Sequence, residues 1–401
     1  MLKSFAKALW HFLLVSVGLL LLALAGAWYF TADIDYGDDA RAFKVGNEGP
    51  HLFWHDGQWQ LNVIRGSGMD GFTLQQQWYP HGTRIDSEVY FPRDDRSFQL
   101  TIDGSRPDWR ADGQFEPPPV HYADDQPIVA ISDIEGAYGT LRDFLMAQQV
   151  INTNGAWQFG QGHLVLLGDF TDRGPSVTQV LWFIFQLEQQ ALAAGGRVHY
   201  ILGNHEIKNL QDNFHAADKK YQFVAEVLGK RQADLLGPDA LLGRWLASKN
   251  VAELINGTLF VHGGLHPALA QPNLSLQQLN QQVRAQYRIA YYPKPAPDPL
   301  QYLVSTRDGV AWYRGYFDGE LSHAQIQAPL TQLAARRVVV GHTPQRQVQL
   351  LHDGLVLAIN VRQPRDYRGS FPPRSSQGAR IDKHGVWRLL DDGRAELLTP
   401  E

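Results

Sequence analysis

The sequence predicts an α/β domain preceded by a small β-rich region and an N-terminal membrane helix. Three observations carry this reading. The chain opens on a long apolar run, and residues 31–119 then show short period-two alternation broken by Asp-Gly turns. Beyond a polyproline joint, short apolar strands alternate with helical patterns, the last strand expected at 355–359.

Composition narrows the class. With 401 residues, 44% of them hydrophobic and 19% charged, the chain has room for two ordinary domains and material for real cores. A net charge of -5 with no long basic run excludes a protein that grips nucleic-acid phosphates. The absence of cysteine excludes disulfides and thiolate metal sites, so any metal must be held by histidine and oxygen ligands.

Taken in order, Lys3 and Lys7 precede an apolar run from Leu9 to Phe30. Such a run rises about 33 Å as a helix, enough to cross a hydrocarbon core of about 30 Å. The lysines favour an orientation that leaves the rest of the chain outside the cytoplasm, a periplasmic placement in a bacterium. Ala23-Leu24-Ala25 also resembles a signal-peptidase site, so a cleaved signal peptide is the alternative, and the protein would then be secreted.

Residues 31–119 carry the alternating runs Trp59–Ile64 and Ser97–Ile102, with turns at Asp56-Gly57, Asp70-Gly71 and Asp103-Gly104. They contain no catalytic constellation and read as a structural or spacer module. Glu116-Pro117-Pro118-Pro119 is a stiff joint and the expected boundary before a domain spanning 120–401.

In that domain, buried strands are expected at 128–132, 163–167, 198–202, 259–261, 338–340 and 355–359. A helix should open at Pro175 and end at Gly195-Gly196. Residues 210–250 read as a helical cap or insertion, and 291–300 and 363–380 as loops.

Chemistry-bearing motifs follow these strands, where open α/β sheets place their ligands. They are Ser132-Asp133-Ile134-Glu135-Gly136, Gly168-Asp169-Phe170-Thr171-Asp172-Arg173-Gly174, Gly203-Asn204-His205-Glu206, His262-Gly263-Gly264 and Gly341-His342-Thr343. Each alone is weak, but the ordered set, each member behind an apolar strand, is a strong signal.

Over about residues 126–362 this set resembles the calcineurin-like metallophosphoesterases, in particular the phosphoprotein phosphatases and their bacterial Shewanella-like branch. The first motif departs twice from the family pattern, with Ser132 for glycine and Glu135 for histidine. The resemblance implies an αββα sandwich, two central sheets flanked by helices. It also implies two divalent metal ions, Mn first, with Fe, Zn or Mg as alternatives.

Carried over by position, Asp133 and Glu135 would hold the first ion, Asp169 would bridge both, and Asn204, His262 and His342 would complete the second site. Donors of these types suit such ions, and two close cations need a shared carboxylate. Glu135 would add a third carboxylate to the first site and tilt it toward Mn or Mg over Zn.

Arg173 and Arg314, the latter in Trp312-Tyr313-Arg314-Gly315, would clamp the phosphoryl oxygens. His205 would be the general acid, oriented by Asp172. The expected reaction is in-line attack of metal-bound hydroxide on phosphorus without a phosphoenzyme, with a phosphorylated protein or small molecule as substrate.

A dinucleoside polyphosphate hydrolase and a catalytically retired, membrane-tethered sensor are the competing readings. His163, His199, His215, His266, His352 and His384 lie outside any motif.

Overall fold

Runs of branched and aliphatic residues make strands that are buried on both faces. In the computed structural model, Ile128–Ile131, His163–Leu167 and Arg197–Ile201 pair in parallel, and all but the first two residues of the last are buried throughout. Residues 2–29, 34–36, 46–67, 70–91, 97–271, 274–296 and 298–399 are described.

The first sheet continues from Ile128–Ile131 through antiparallel Gln377–Asp382, Gly385–Leu390 and Ala395–Leu397. The second runs in the order Gln349–Leu351, Val356–Ala358, Arg337–Val340, Thr258–Val261, Ala252–Ile255 and His121–Tyr122.

Alternation along each strand then builds the layers. Ile128, Ala130, Val165 and Leu167 of the first sheet share one buried cluster with Ile255, Phe260, Val339 and Leu357 of the second. Their neighbours Val129, Ile131, Leu164 and Leu166 face the other way and join a cluster with Leu141, Phe144, Val180 and Ile184 from helices Tyr138–Ala147 and Val177–Ala193. Val338 and Val340 belong with Leu279 and Val283 of Leu276–Arg284 and Ile326 and Leu330 of His323–Gln332. The result is the expected αββα sandwich.

Between the sheets runs one polar seam. His163 Nε2 meets Asp124, His163 Nδ1 meets His199 Nε2 at 2.8 Å, and His199 Nδ1 meets Glu253 at 2.6 Å.

The β-rich region forms a three-stranded sheet, Glu48–His55, Gln58–Ser67 and Gly71–Pro80, and a pair, Ile85–Tyr90 with Ser97–Ile102. It is seated directly on the sandwich: Leu52, Phe53, Trp59 and Val89 lie in the same buried cluster as Trp182, Phe183 and Phe185. Trp182 Nε1 donates to the Pro50 carbonyl at 2.8 Å, and Lys220 Nζ pairs with Glu48 at 2.7 Å, both side chains fully buried. The polyproline joint is itself packed, since the Asn250 amide donates to the carbonyls of Pro118 and Pro119.

The expected cap at 210–250 contains helices Lys220–Val227 and Leu241–Ser248 with a 3-10 turn at Gln232–Leu236. The helix expected at Pro175 begins at Val177.

One expectation is corrected. Residues 363–380 are not loop throughout, because Gly369–Phe371 and Gln377–Asp382 are strands. The second has little branched apolar character, and close packing selects it: a Cβ on Gly378 would lie 2.5 Å from both the Ala130 carbonyl and the Phe144 ring.

At the N-terminus, helix Leu2–Tyr29 carries an unburied apolar stretch, Phe5–Gly26, long and apolar enough to cross a membrane, as a signal sequence also would be. The predicted end of the run at Phe30 lies outside the described residues.

Candidate metal centre and active site

Each motif lies at or just beyond the carboxyl end of its strand, and three of the five turn there through left-handed backbone, while Gly203 opens helix Asn204–Leu210. Asp133, Glu135, Asp169, Asp172, Arg173 and His342 all adopt left-handed backbone, with φ between 52° and 69°. Non-glycine residues take this conformation rarely, and clusters of it mark functional sites. Neighbouring glycines make room: a Cβ on Gly168 would sit 2.6 Å from the Gly203 backbone and 2.6 Å from His262 Nδ1.

These turns bring Asp169, His262 and His342 together, with one donor atom from each lying within 4.8 Å of the others. Asp169 Oδ1 accepts the His205 amide at 3.0 Å, while its Oδ2 lies 3.1 Å from His262 Nε2. Asn204 Oδ1 approaches the same His262 nitrogen at 3.2 Å. Asp133 adjoins the group, its Oδ2 accepting the His342 amide at 3.3 Å.

The donor set fits divalent cations. His262 Nδ1 donates to the Leu167 carbonyl at 2.6 Å, so a neutral ring presents the Nε2 lone pair to two oxygens. Only a proton or a cation can satisfy that arrangement. His342 Nε2 is buried and has no hydrogen-bond partner among the described residues.

The charge balance agrees. Burial, with the Asp169 charge behind it, pushes the Asp133 carboxyl up to about 7, although His262 opposes this. Burial works against a charged His262, but Asp169 prevails and raises it to about 9. Burial, joined by His262, lowers His342 to about 3.

Beside this cluster, His205 Nδ1 meets Asp172 Oδ2 at 2.7 Å, and the Asn209 amide holds Asp172 Oδ1 at 2.8 Å. Burial opposes protonation of His205, yet the charge of Asp169 and the bond to Asp172 raise its pKa. Arg314 Nη1 donates to the His342 carbonyl and to Thr343 Oγ1, each at 3.0 Å, which fixes it beside the last motif.

Asp133, Asp169, Asn204, His205, Arg314 and His342 wall a cavity of about 600 Å³, while His262, Asp172 and Asn209 are buried outside that wall. Glu135 is in that wall too, but the structure does not bring it into the donor cluster. One of its oxygens takes Arg173 Nη1 and the other takes Arg365 Nη2 at 2.9 Å.

Sequence reasoning assigned no role to two features of this site. Glu206 is fully buried and accepts six hydrogen bonds, from the amides of Asp169, Phe170, Thr171 and Gly203 and the hydroxyls of Thr171 and Tyr200. It ties the second motif to the third. The cavity wall also contains Lys208, Arg362, Arg365 and Arg374. Glu206 stands in a quoted motif and could have been suspected, whereas no local pattern marks the three arginines.

Residues 126–346 match the family model described as calcineurin-like phosphoesterase. Among curated proteins, Shewanella-like protein phosphatase 1 of Plasmodium berghei is 29% identical over 255 residues, spanning 59% of this chain and 69% of that one. Shewanella-like protein phosphatase 2 of Arabidopsis thaliana is 25% identical over 266 residues, 54% of this chain and 66% of that one. The solved cold-active protein-tyrosine phosphatase of a psychrophilic Shewanella is 29% identical, with a TM-score of 0.72 over 88% of this chain and 98% of that one.

Proposed function

The chain belongs to the calcineurin-like phosphoesterase family, and from that premise we propose a phosphomonoesterase acting on phosphorylated protein side chains, tethered to a membrane by its N-terminal helix. That it is a metal-dependent phosphoesterase follows from the family; the protein substrate is inferred from relatives named as protein phosphatases. The observation that carries the reading is the convergence of Asp169, His262 and His342 within 4.8 Å beside the His205–Asp172 pair.

In this reading Asp133, Asp169, Asn204, His262 and His342 would hold two divalent cations, and Asp169, which faces His262 and lies centrally among these donors, is the carboxylate that both could use. Mixed carboxylate, amide and imidazole donors suit Mn, Fe, Zn or Mg, and Glu135, tied to two arginines, does not supply the third carboxylate that would set Mn or Mg above Zn. When bound, such ions neutralise phosphoryl charge and acidify water.

The chain's own residues do the rest. Arg314 and Arg173 bind and orient the phosphoryl oxygens. Asp172 accepts the hydrogen bond from His205 Nδ1–H, which fixes the ring and leaves Nε2 to carry the proton destined for the leaving oxygen. Asn209 holds Asp172 in turn, and Glu206 keeps the loop bearing Asp169 from shifting. The lysines ahead of the apolar helix support an extracytoplasmic, periplasmic site for the enzyme.

The test is hydrolysis of p-nitrophenyl phosphate by the chain in detergent, stripped of metal and resupplied with Mn, Mg, Zn or Fe. Metal-dependent turnover that disappears in Asp169→Asn, with a phosphopeptide turned over faster than a diadenosine polyphosphate, is the expected result. A reversed substrate preference would favour the nucleotide hydrolase, and no turnover in folded protein the retired sensor.

A further inference from the structure

We propose that Glu135 is a positioning residue that clasps Arg173 and Arg365 into a paired clamp, and that Arg365 thereby binds the substrate's phosphoryl oxygens. The proposal rests on the phosphoesterase reading above and adds to its site a residue from far along the chain.

The geometry starts with one carboxylate serving two guanidinium groups. Glu135 Oε1 takes Arg173 Nη1, and Oε2 takes Arg365 Nη2 at 2.9 Å. Both arginines line the same cavity as Asp169, His205 and Arg314. Two guanidinium groups brought to one place repel each other. A carboxylate between them offsets that repulsion and leaves the trio with one net positive charge facing the cavity. The histidine of the family pattern brings no negative charge and could not do this. The departure at position 135 and the recruitment of Arg365 thus belong together.

The backbone makes the clasp a fixed feature. Glu135 sits at φ 52° with its amide on the Asp169 carbonyl at 2.9 Å, so its side chain leaves a constrained turn. Its own carbonyl accepts the Tyr367 hydroxyl at 3.3 Å. The segment carrying Arg365 is stitched on either side to the first turn of helix Tyr138–Ala147, which follows the Glu135 turn directly. The Thr140 hydroxyl donates to the Pro364 carbonyl at 2.9 Å, and Asp366 Oδ2 accepts the Gly139 amide at 2.6 Å.

Arg365 is therefore delivered to the cavity by a braced segment, with 19% of its side chain exposed against 44% for Arg173. A guanidinium anchored through one nitrogen by a carboxylate is pre-organised for phosphate, whose oxygens its planar fork matches.

The experiment uses the full chain in detergent with three variants: Glu135→Gln, Arg365→Ala and Arg365→Lys. Metal content per chain, KM and kcat for p-nitrophenyl phosphate, and calorimetric affinity for inorganic phosphate are measured for each. Arg365→Ala and Glu135→Gln are expected to raise KM and weaken phosphate binding by about tenfold or more, with smaller changes in kcat and unchanged metal content. Arg365→Lys, which keeps the charge but loses the fork, should fall between. Combining Glu135→Gln with Arg365→Ala should cost less than the two single effects added together, because Glu135 acts in part through Arg365, and what remains beyond Arg365→Ala alone reports its hold on Arg173.

Loss of metal in Glu135→Gln would overturn the proposal and make Glu135 a ligand. Phosphate affinity within about twofold of the parent in Arg365→Ala would also overturn it. If the parent chain turns nothing over yet these residues still govern phosphate affinity, the clamp stands and the hydrolase reading falls.

Discussion

Lys220→Met would test whether the β-rich region is a loose spacer or a structural part of the enzyme. Lys220 Nζ meets Glu48 Oε2 at 2.7 Å and the Pro175 carbonyl at 2.6 Å, and neither charged side chain is exposed to solvent. Without the ammonium, the Glu48 carboxylate keeps one hydrogen bond, from the Gln179 amide at 3.4 Å, and the His51 imidazole 3.8 Å from its other oxygen, which burial holds largely uncharged at pH 7.

Stranding a buried charge in this way costs about 3–5 kcal/mol. The double variant Lys220→Met with Glu48→Gln removes both charges and should be less destabilised than Lys220→Met alone. Urea unfolding at pH 7 reads these differences directly. Activity should fall as well, because Pro175 follows the motif bearing Asp172 and Arg173. A Lys220→Met chain within about 1 kcal/mol of the parent, or strictly additive single and double effects, would refute the reasoning.

Burial holds His51 down to about 4, against the pull of Glu48, while the unfolded ring titrates near 6.5. The unfolded chain therefore binds the extra proton between those values, and stability is lost as pH falls from 6.5 toward 4, by up to about 3 kcal/mol. His51→Asn should flatten that part of the pH–stability curve measured by urea unfolding, and an unchanged curve would count against it. Asp172→Asn cannot accept from both His205 and Asn209, so kcat should drop by about 10²–10⁴-fold while metal content is retained; a loss of bound metal would instead point to collapse of the site. Gly168→Ala drives a Cβ into the Gly203 backbone and should cost about 2–4 kcal/mol and disturb metal uptake, read by thermal unfolding and metal analysis.

The centre of the site was legible because its candidate ligands obey a local rule. Each stands just past a buried strand, and Asp133, Asp169 and His342 do so at left-handed turns beside glycine or other small residues, so they announce themselves within a few positions. The strands were equally readable: the expected run 163–167 coincides with His163–Leu167, since two buried faces demand unbroken apolar residues. Gln377–Asp382 escaped because its place is fixed by a glycine pressed against Ala130 and Phe144, a tertiary fact. The His163–His199 seam escaped for the same reason, as its partners Asp124 and Glu253 come from distant segments.

Glu135 shows where local reading stops. Its position in the first motif makes it a candidate ligand by analogy with histidine, and nothing nearby argues otherwise. What distinguishes a ligand from a clasp is the company its oxygens keep, and Arg365 lies 230 residues away in sequence. The substitution is legible, while its consequence depends on how the C-terminal segment folds back between Gln363 and Tyr367. The β-rich region is placed by the same kind of contact: Glu48 reaches Lys220, and Lys220 holds Pro175 beside the Asp172–Arg173 motif. Two ion pairs formed across long stretches of chain thus border a short motif loop, one bracing Arg173 from the cavity side and one bracing Pro175 from within the core. In our reading, a chain that lost the segment bearing Arg365 or the one bearing Glu48 would keep every motif intact and still misplace Arg173, the proposed phosphoryl clamp.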